Sequence, residues 1–424
     1  MLDNVLKSQA GTMADNNNRL ILSIIVVLAV LYNAILAFVN INITPMAVQH
    51  VAITEIFIVL LATGYLLLNL KFIPNLLPHL IFLFITMSLS AVVMLANNEI
   101  FIKIIRDMYL IVLFVLLGTL MDRRSIITVF KILTVITLCV ILIEVFKSDL
   151  YIALFHPASY YENTRGIVPF GNSGFFRNAI APESRFSFNF ISDVRTSSVF
   201  LEQVSLANFS MLLMIFIASF WKYLNKKEVL FFGFSILFFI LTNDSRTGSL
   251  LTIAILVGYF VFPKLPAKLY MLIIPSVIIT SIILFYDPSM ADEMVKDNIA
   301  GRISLTVNKL ADIDFKIAFL GQLGEAINKV YDSGYAYIIY AMTLWGLVMF
   351  WGYVCYILPS KNCDETKRFA FSVSLFIAVN LMIGAAIFTI KVSAPLWIMA
   401  GYYYNQTCKN ILTKQSRPLL KTEK

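Results

Sequence analysis

The sequence predicts an all-α polytopic membrane protein with about twelve transmembrane helices and two larger loops on the outer side. Hydrophobic residues make up 59% of the 424 positions and charged residues only 14%. The mean hydropathy is +0.82, and apolar stretches recur along the whole chain. Soluble domains usually contain about 25% charged residues and about 45–50% apolar ones. The composition therefore excludes a water-soluble enzyme, a nucleic-acid-binding module and a disordered regulator.

Each predicted span is an apolar window near the roughly 20 residues that a helix needs to cross a bilayer. Several windows, notably 229–242 and 392–406, are shorter than that length. The first window lacks the pattern of a cleaved signal peptide and is expected to remain as a span. The predicted spans are 20–39, 51–70, 78–96, 99–120, 126–146, 199–220, 229–242, 247–262, 269–286, 335–358, 369–390 and 392–406.

Basic residues predict the orientation, because Lys and Arg accumulate in short cytoplasmic loops. With a cytoplasmic N-terminus, the inner segments hold 18 of the 33 basic residues. The four short outer connections then contain only Arg246 and Lys391. We therefore expect both termini on the cytoplasmic side, and most of the net charge of +8 reflects topology.

Residues 1–424 are interpreted as one multi-spanning domain, interrupted by long outer loops at 147–198 and 287–330. Each of these loops carries five basic residues. Functional residues often lie on such loops when a rigid scaffold supports them. An internal repeat of the kind that builds many transporters is not visible in the sequence.

The first candidate site residues are Arg195 and Glu202, at the entry to the sixth span. On a helix, this spacing places both side chains on one face, with Glu202 about 10 Å deeper. A carboxylate within a span costs about 2.5–3.5 kcal/mol and usually has a partner. The pair either fixes the packing as an ion pair or lines an outward-facing cavity.

The second candidate is the outer turn from Asn243 to Gly248, which contains Asp244, Ser245 and Arg246. The planar fork of Arg246 suits bidentate contact with a phosphate. Ser245 and Thr247 are both placed to cap the next helix, whose N-terminus is itself favourable for anions. The alternative is a structural turn with an Asp244–Arg246 pair.

The third candidate lies in the 287–330 loop and the entry to the span that follows. An apolar stripe at helical spacing predicts an amphipathic helix on the membrane surface or over the bundle. The candidate site residues are Arg302 at the start of this helix, and Asp332 and Tyr335 after it. The alternative is that these residues have a purely structural role. The stripe consists of Ile303, Val307, Leu310, Ile317 and Leu320.

The remaining charges and the cysteines suggest no further site. Lys103 and Asp107 form an i, i+4 pair that favours a structural role, while Glu55, Lys131 and Glu144 are isolated charges within spans. Neither the three histidines nor the four cysteines have metal-ligand spacing. No metal and no cofactor are expected.

Several motifs, in their order along the chain, resemble the Wzy-type polymerases of O-antigen and exopolysaccharide, whose superfamily includes the O-antigen ligases. The resemblance covers most of the chain, but its motifs are specific only in the second half. These motifs are Arg195 to Glu202 with Val204 to Phe209, Leu-Thr-Asn-Asp-Ser-Arg246, Gly301-Arg302, Phe-Leu-Gly321-Gln-Leu-Gly324, Asp332-Ser-Gly-Tyr335 and Leu-Trp-Gly346-Leu.

This resemblance implies a metal-independent glycosyltransferase in the bacterial inner membrane. It would join repeat units carried on undecaprenyl pyrophosphate at the periplasmic face, so a lipid-linked glycan donor and a lipid-linked acceptor are its expected partners, alongside a chain-length regulator and a flippase. Arg195, Arg246 and Arg302 would then bind the pyrophosphate, with Asp244, Ser245 and Tyr335 in support. Glu202 or Asp332 would accept the proton of the attacking hydroxyl.

Two other functions remain open at this point. The ligase branch typically carries a histidine just before the span that follows the large loop. Here that place is occupied by Val330 to Gly334, which weakens the ligase interpretation. A flippase or another transporter could have a similar number of spans, but the missing repeat and the long arginine-bearing loops disfavour it.

Overall fold

The computed structural model describes residues 2–169, 171, 173–176, 179, 194–286, 299–328 and 333–415. Within these ranges the chain forms α-helices joined by short turns and 3₁₀ segments, without β-strands. The helices are α1 (Leu2–Asn42), α2 (Val48–Leu68), α3 (Leu76–Asn97), α4 (Ile102–Leu120), α5 (Arg123–Phe146), α6 (Ser148–Phe155), α7 (Pro157–Arg165), α8 (Gln203–Phe220), α9 (Lys226–Asn243), α10 (Arg246–Val261), α11 (Ile273–Phe285), α12 (Ile299–Ala311), α13 (Phe315–Leu320), α14 (Leu323–Asn328), α15 (Gly334–Ile357), α16 (Asp364–Ile383) and α17 (Ile390–Gln415).

Eight helices of the described chain are long and apolar enough to cross a membrane, so the protein is a multi-pass, all-α membrane protein. Every one of the twelve predicted spans overlaps a helix, although 199–220 begins before α8 and 369–390 extends beyond the end of α16. The eight qualifying segments are Arg19–Asn42, Val48–Leu68, Leu76–Asn97, Arg123–Phe146, Gln203–Tyr223, Arg246–Lys264, Gly334–Ile357 and Asp364–Ile383.

Four predicted spans form helices that are shorter or more polar. Helix α4 has 19 residues and carries Lys103, Arg106 and Asp107 near its start. Helix α9 begins with two lysines and a glutamate, and α11 is a 13-residue helix that follows a 3₁₀ turn. Helix α17 includes a run of three tyrosines and an asparagine. The count of twelve spans therefore stays a prediction.

Burial divides the spans into a central and a peripheral group. The apolar window of α8 is 89% buried, whereas those of α2, α3 and α10 are only 22–28% buried. Leu68, Phe84 and Phe260 on the peripheral helices are largely exposed. Because large apolar side chains are tolerated on the outside only against lipid, these helices form the lipid-facing surface and α8 lies inside the bundle.

Two glycines allow α4 and α17 to pack with their backbones in close contact. A Cβ added at Gly401 would lie 1.9 Å from the Val115 carbonyl oxygen. A Cβ added at Gly118 would lie 2.3 Å from the Ile398 carbonyl oxygen. Small residues at such crossings let helices approach within membranes. This crossing holds the start of α17 in the interior of the bundle.

We expect Gly401→Ala to destabilise the protein, because its methyl group would overlap a backbone oxygen that cannot move without separating the two helices. Overpacking of this kind costs about 1–3 kcal/mol. The measurement is the apparent melting temperature of purified variants in one detergent. Gly352→Ala is the matched control, since a Cβ at Gly352 meets no atom within 4 Å. Equal melting temperatures for the two variants would contradict the role given to Gly401.

Helix α15 is broken in its middle, where Thr343 has the left-handed φ of 71°. The break leaves the Tyr340 carbonyl to accept a hydrogen bond from the Gln322 backbone N–H at 2.9 Å. Gly321 must approach this carbonyl, because its Cβ would lie 2.4 Å from the same oxygen. The connection between α13 and α14 thus replaces the hydrogen bond that α15 loses, as an interrupted membrane helix requires.

Both long predicted loops contain helices. Residues 148–165 form α6 and α7, and Tyr160 fixes α7 to α1 through a 2.7 Å hydrogen bond to the Asn33 side chain. In the second loop, the predicted amphipathic helix is divided into α12 and α13. Asp314 caps the start of the second segment, since its carboxylate accepts the Ile317 N–H at 2.7 Å.

Candidate functional site

The three arginines proposed from the sequence, Arg195, Arg246 and Arg302, line one cavity. The cavity lies where the first turns of α8 and α10, the end of α16 and the start of α12 meet. With Asp244 as the carboxylate in its wall, these groups give a formal charge of 3 − 1 = +2. The other lining residues are Val204, Ala207, Asn208, Met211, Ser245, Thr247, Gly248, Leu251, Ile299, Val379, Asn380, Ile383, Gly384 and Ala386.

The turn between α9 and α10 places Arg246 at this cavity. Asp244 ends α9 in the left-handed conformation, with a φ of 56°. Ser245 then caps α10 by accepting the Gly248 N–H at 3.2 Å. Arg246 is consequently the first residue of α10, beside a helix N-terminus that favours negative charge. Ser245 and Asp244 lie where the sequence analysis expected them, and Ser245 acts as the predicted cap.

Gly248 lets α10 approach α8 in the floor of the cavity. A Cβ at this position would lie 3.3 Å from the Ala207 Cβ and 3.1 Å from the Ser245 hydroxyl. A larger residue would therefore move the first turn of α10 away from α8. Arg246 and the residues of α8 would then separate.

The expected helical relationship between Arg195 and Glu202 is wrong. Residues 195–197 are not helical, 198–200 form one 3₁₀ turn, and α8 begins only at Gln203. Ser198 and Leu201 have left-handed φ values of 52° and 60°, so the segment cannot continue as an α-helix. Arg195 and Glu202 therefore do not share a helix face, and Glu202 does not line the cavity.

A buried carboxylate explains why this segment is irregular. Glu144 of α5 accepts hydrogen bonds from the backbone N–H groups of Ser197 and Ser198, the shortest at 2.7 Å. Tyr151 adds a 3.0 Å hydrogen bond to the Ser198 carbonyl. Backbone groups buried at membrane depth must be paired, and Glu144 pairs those that the missing helical turn leaves open. The isolated Glu144 of the sequence is thus an anchor for residues 195–201.

Arg195 is positioned by the end of α9. Its Nε donates to the Asn243 carbonyl at 3.0 Å, one of the helix C-terminal carbonyls that lack an intrahelical donor. The Asn243 side chain in turn donates to the carbonyls of Thr196 at 2.7 Å and Gln203 at 2.9 Å. Asn243 is fully buried. This network fixes the Arg195 backbone and the orientation of its guanidinium relative to Arg246.

Glu202 is held between two cations. Its carboxylate contacts Lys391 Nζ at 2.6 Å and Ser205 Oγ at 3.0 Å, and it forms an ion pair with Arg165. Lys391, in the first turn of α17, is almost fully buried, whereas the Arg165 side chain is 46% exposed. Lys391 also donates to the Phe200 carbonyl at 3.2 Å. The cluster connects α7, α17 and the segment before α8.

These contacts disfavour Glu202 as a general base. Burial opposes its negative charge, but Lys391 and Arg165 outweigh this effect and lower its pKa to about 2. A base is most effective when its pKa lies near the working pH. The geometry therefore favours a structural and electrostatic role for Glu202. The other candidate base, Asp332, lies outside the described residues.

Helix α12 brings Arg302 to the cavity and covers the bundle. Thr306 donates to the Met382 carbonyl of α16 at 2.7 Å, and both Thr306 and Val307 are fully buried. Arg302 lies one turn earlier on the same helix, close to the end of α16. The predicted amphipathic character of this segment thus serves to pack α12 against the bundle.

A pair of buried amides lies in the wall of the cavity. Asn380 of α16 forms a side-chain hydrogen bond with Asn208 of α8, and both are at most 4% exposed. The Oδ1 atom of Asn380 has no hydrogen-bond partner among the described residues. Asn208 falls within the Val204 to Phe209 motif but neither asparagine was predicted as a site residue, although a polar residue within an apolar helix was the available signal.

Other predicted positions are structural. Tyr335 does not line the cavity, because its buried hydroxyl donates to the Ala378 carbonyl at 3.1 Å. Lys103 and Asp107 attract each other electrostatically, as expected, and Asp107 also binds Arg106 at 2.8 Å and the Tyr337 hydroxyl at 2.8 Å. Arg106 is adjacent to Asp107 in the sequence, and its planar guanidinium has the forked donor geometry that suits a buried carboxylate.

The two remaining isolated charges also have partners. Glu55 pairs with Arg106 at 2.9 Å and accepts the Tyr32 hydroxyl. Lys131 pairs with Glu228 at the start of α9. Both contacts join helices that are distant in sequence, which is the usual arrangement for charges within spans.

No group of three His, Cys, Asp or Glu side chains in the described ranges is placed to hold a metal ion. Comparisons with protein-family models, curated proteins and solved structures gave no match to the chain. The geometry and charge of the cavity with its three arginines are therefore the basis for proposing a function.

Proposed function

We propose that this protein is a glycosyltransferase that elongates a glycan carried on a polyprenyl pyrophosphate, in the manner of the Wzy-type polymerases that its motifs resemble. The observation that carries the proposal is the convergence of Arg195, Arg246 and Arg302 on one cavity. They come from three parts of the sequence more than 50 residues apart. If each arginine had only a structural role, the three would have no reason to line the same cavity.

The charge of the cavity fits a pyrophosphate. Arginine forks bind phosphate oxygens in bidentate pairs, and the N-terminus of α10 adds backbone donors. The apolar walls formed by Val204, Leu251 and Val379 suit the adjoining lipid. A phosphate group joined to a long hydrocarbon chain matches both features.

In the proposed reaction, the cavity holds the pyrophosphate of the growing chain. The bond between the anomeric carbon and the pyrophosphate oxygen breaks, and the leaving group keeps the electron pair. A hydroxyl of the next lipid-linked repeat unit forms the new glycosidic bond and loses its proton. Arginines stabilise the charge that develops on the leaving pyrophosphate. Asp332 is our candidate for the group that accepts the proton.

The location of the cavity supports an activity at the outer face of the membrane. The start of α8, the turn between α9 and α10, and the end of α16 all lie on the outer side in the predicted topology, which for a bacterial inner membrane is the periplasm. The twelve-span count and this orientation are part of the proposal. Helix α12 covering the bundle through Thr306 also favours transfer chemistry over transport.

The experiment is to incubate the purified protein with a defined polyprenyl-pyrophosphate-linked oligosaccharide in liposomes and analyse the products by mass spectrometry. A ladder of lipid-linked glycans longer by whole repeat units is the expected result. Transfer of the glycan to added lipid A core, without such a ladder, would instead identify a ligase. Unchanged substrate that has crossed the bilayer would identify a transporter. Either of these two results overturns the proposal.

A further inference from the structure

A groove between α1 and α5 opens to the lipid at the opposite, predicted cytoplasmic end of the bundle. Its walls are apolar for most of their length, and its volume is about 390 Å³. Two of its apolar side chains, Leu20 and Ile24, are 60% and 46% exposed. The lining residues are Arg19, Leu20, Ser23, Ile24, Val27 and Leu28 of α1, and Arg124, Ser125, Thr128 and Ile132 of α5.

The charged residues of the groove, Arg19 and Arg124, lie at one end, and Ser23 and Thr128 lie about one helical turn further along. Both helices run in the same direction from this end, since Arg19 pairs with Asp122 at 3.5 Å. From Arg124 to Ile132 the groove extends about 12 Å along α5, at about 1.5 Å per residue. A molecule that fits must therefore have a polar head at one end and an apolar tail of this length or more.

The charge at the head of the groove favours an anion. Arg19, Arg124 and Asp122 sum to 2 − 1 = +1. The Asp122 carboxylate is already occupied by Arg19 and by Ser125, whose hydroxyl lies at 2.6 Å and whose N–H lies at 2.9 Å. Arg124 is exposed at the polar end of the groove, where its charge also attracts Asp122. Its guanidinium is thus placed to bind a further anionic group.

From the groove, its polar end and its charge, we infer that α1 and α5 bind an anionic phospholipid of the inner leaflet. Its phosphate would contact Arg124 and Arg19, with Thr128 and Ser23 beside it, and one acyl chain would lie along Leu20, Ile24 and Ile132. Basic pockets between helices at the cytoplasmic surface are suited to anionic headgroups. This site is separate from the outer cavity and does not depend on the function proposed for it.

The test is native mass spectrometry of the full chain, titrated in detergent with phosphatidylglycerol or with phosphatidylcholine of the same acyl chains. We expect wild-type protein to retain phosphatidylglycerol in preference to phosphatidylcholine. Arg124→Gln should weaken phosphatidylglycerol binding about fivefold, because one basic residue near an anionic lipid contributes about 1 kcal/mol. Thr128→Trp, which fills the groove without changing its charge, should weaken both lipids.

Lys71→Gln is the matched control, since Lys71 is an exposed basic residue on the same predicted side but outside the groove. Its affinity for phosphatidylglycerol should equal that of wild type. Equal affinity of Arg124→Gln and Lys71→Gln would overturn the inference, as would equal binding of the two lipids by wild type. An apparent melting temperature equal to that of wild type shows for each variant that any loss of binding is not a loss of fold.

Discussion

Arg246→Ala is expected to lower the rate of glycan elongation by about 100-fold or more, because it removes a donor from the charge that develops on the leaving pyrophosphate. Arg246→Lys keeps the positive charge but loses the planar, forked guanidinium, so it should retain only part of the wild-type rate. The rates are measured with purified protein and a defined lipid-linked oligosaccharide. The variant should still insert and purify like wild type, since Arg246 lies at the rim of the bundle.

Lys147→Ala is the control, because Lys147 is exposed on the same predicted side and does not line the cavity. Wild-type chain lengths from Arg246→Ala would contradict the role of the cavity.

Arg195→Ala should also abolish elongation. Because it removes the 3.0 Å hydrogen bond to the end of α9, it should additionally lower the melting temperature. Arg246→Ala is therefore the sharper of the two tests.

The second large effect is expected from Lys391→Met. This substitution leaves the buried Glu202 carboxylate with Arg165 as its remaining cation, and breaking a buried ion pair costs about 3–5 kcal/mol. The double variant Lys391→Met, Glu202→Gln should regain part of the stability, because Arg165 is 46% exposed and can be solvated alone. Apparent melting temperatures of the two single variants and the double variant measure this coupling.

Lys147→Met, an exposed change of the same type, should leave the melting temperature at the wild-type value. A Lys391→Met protein as stable as this control would show that the ion pair contributes nothing.

Lowering the pH provides an independent check of the contribution of the Glu202 carboxylate to stability. Because the pKa of Glu202 is lowered from 4.5 to about 2, its stabilisation is present above about pH 4.5 and is lost as the pH falls towards 2. The stability difference between wild type and Glu202→Gln should accordingly shrink at about pH 3.

The apolar windows of the sequence predicted the helices of the bundle, whereas the orientation predicted from the charges stays a prediction. All twelve predicted apolar windows overlap helices, because a helix pairs its backbone groups within one apolar segment. Charge placement was equally informative at the site. Arg246 and Lys391 are the two basic residues in the predicted short outer connections; Arg246 lines the cavity and Lys391 pairs with Glu202.

The irregular segments were not predictable from local patterns. Residues 195–201 leave the helical conformation because Glu144, more than 50 positions earlier in the sequence, binds their backbone N–H groups. The partner of Glu202 was missed for the same reason, since Lys391 is almost 190 residues away. Such pairings depend on which helices are neighbours, and a single sequence carries no direct signal of that.

The central claim is that the cavity with Arg195, Arg246 and Arg302 binds a polyprenyl pyrophosphate. The most direct measurement uses a polyprenyl pyrophosphate with a photoreactive group on its first isoprene unit, crosslinked to the protein in membranes and mapped by mass spectrometry. We predict adducts on Val204, Leu251 or Val379, which line the cavity beside the arginines, and their loss when unlabelled polyprenyl pyrophosphate is added. Adducts confined to helices that do not line this cavity would contradict the claim.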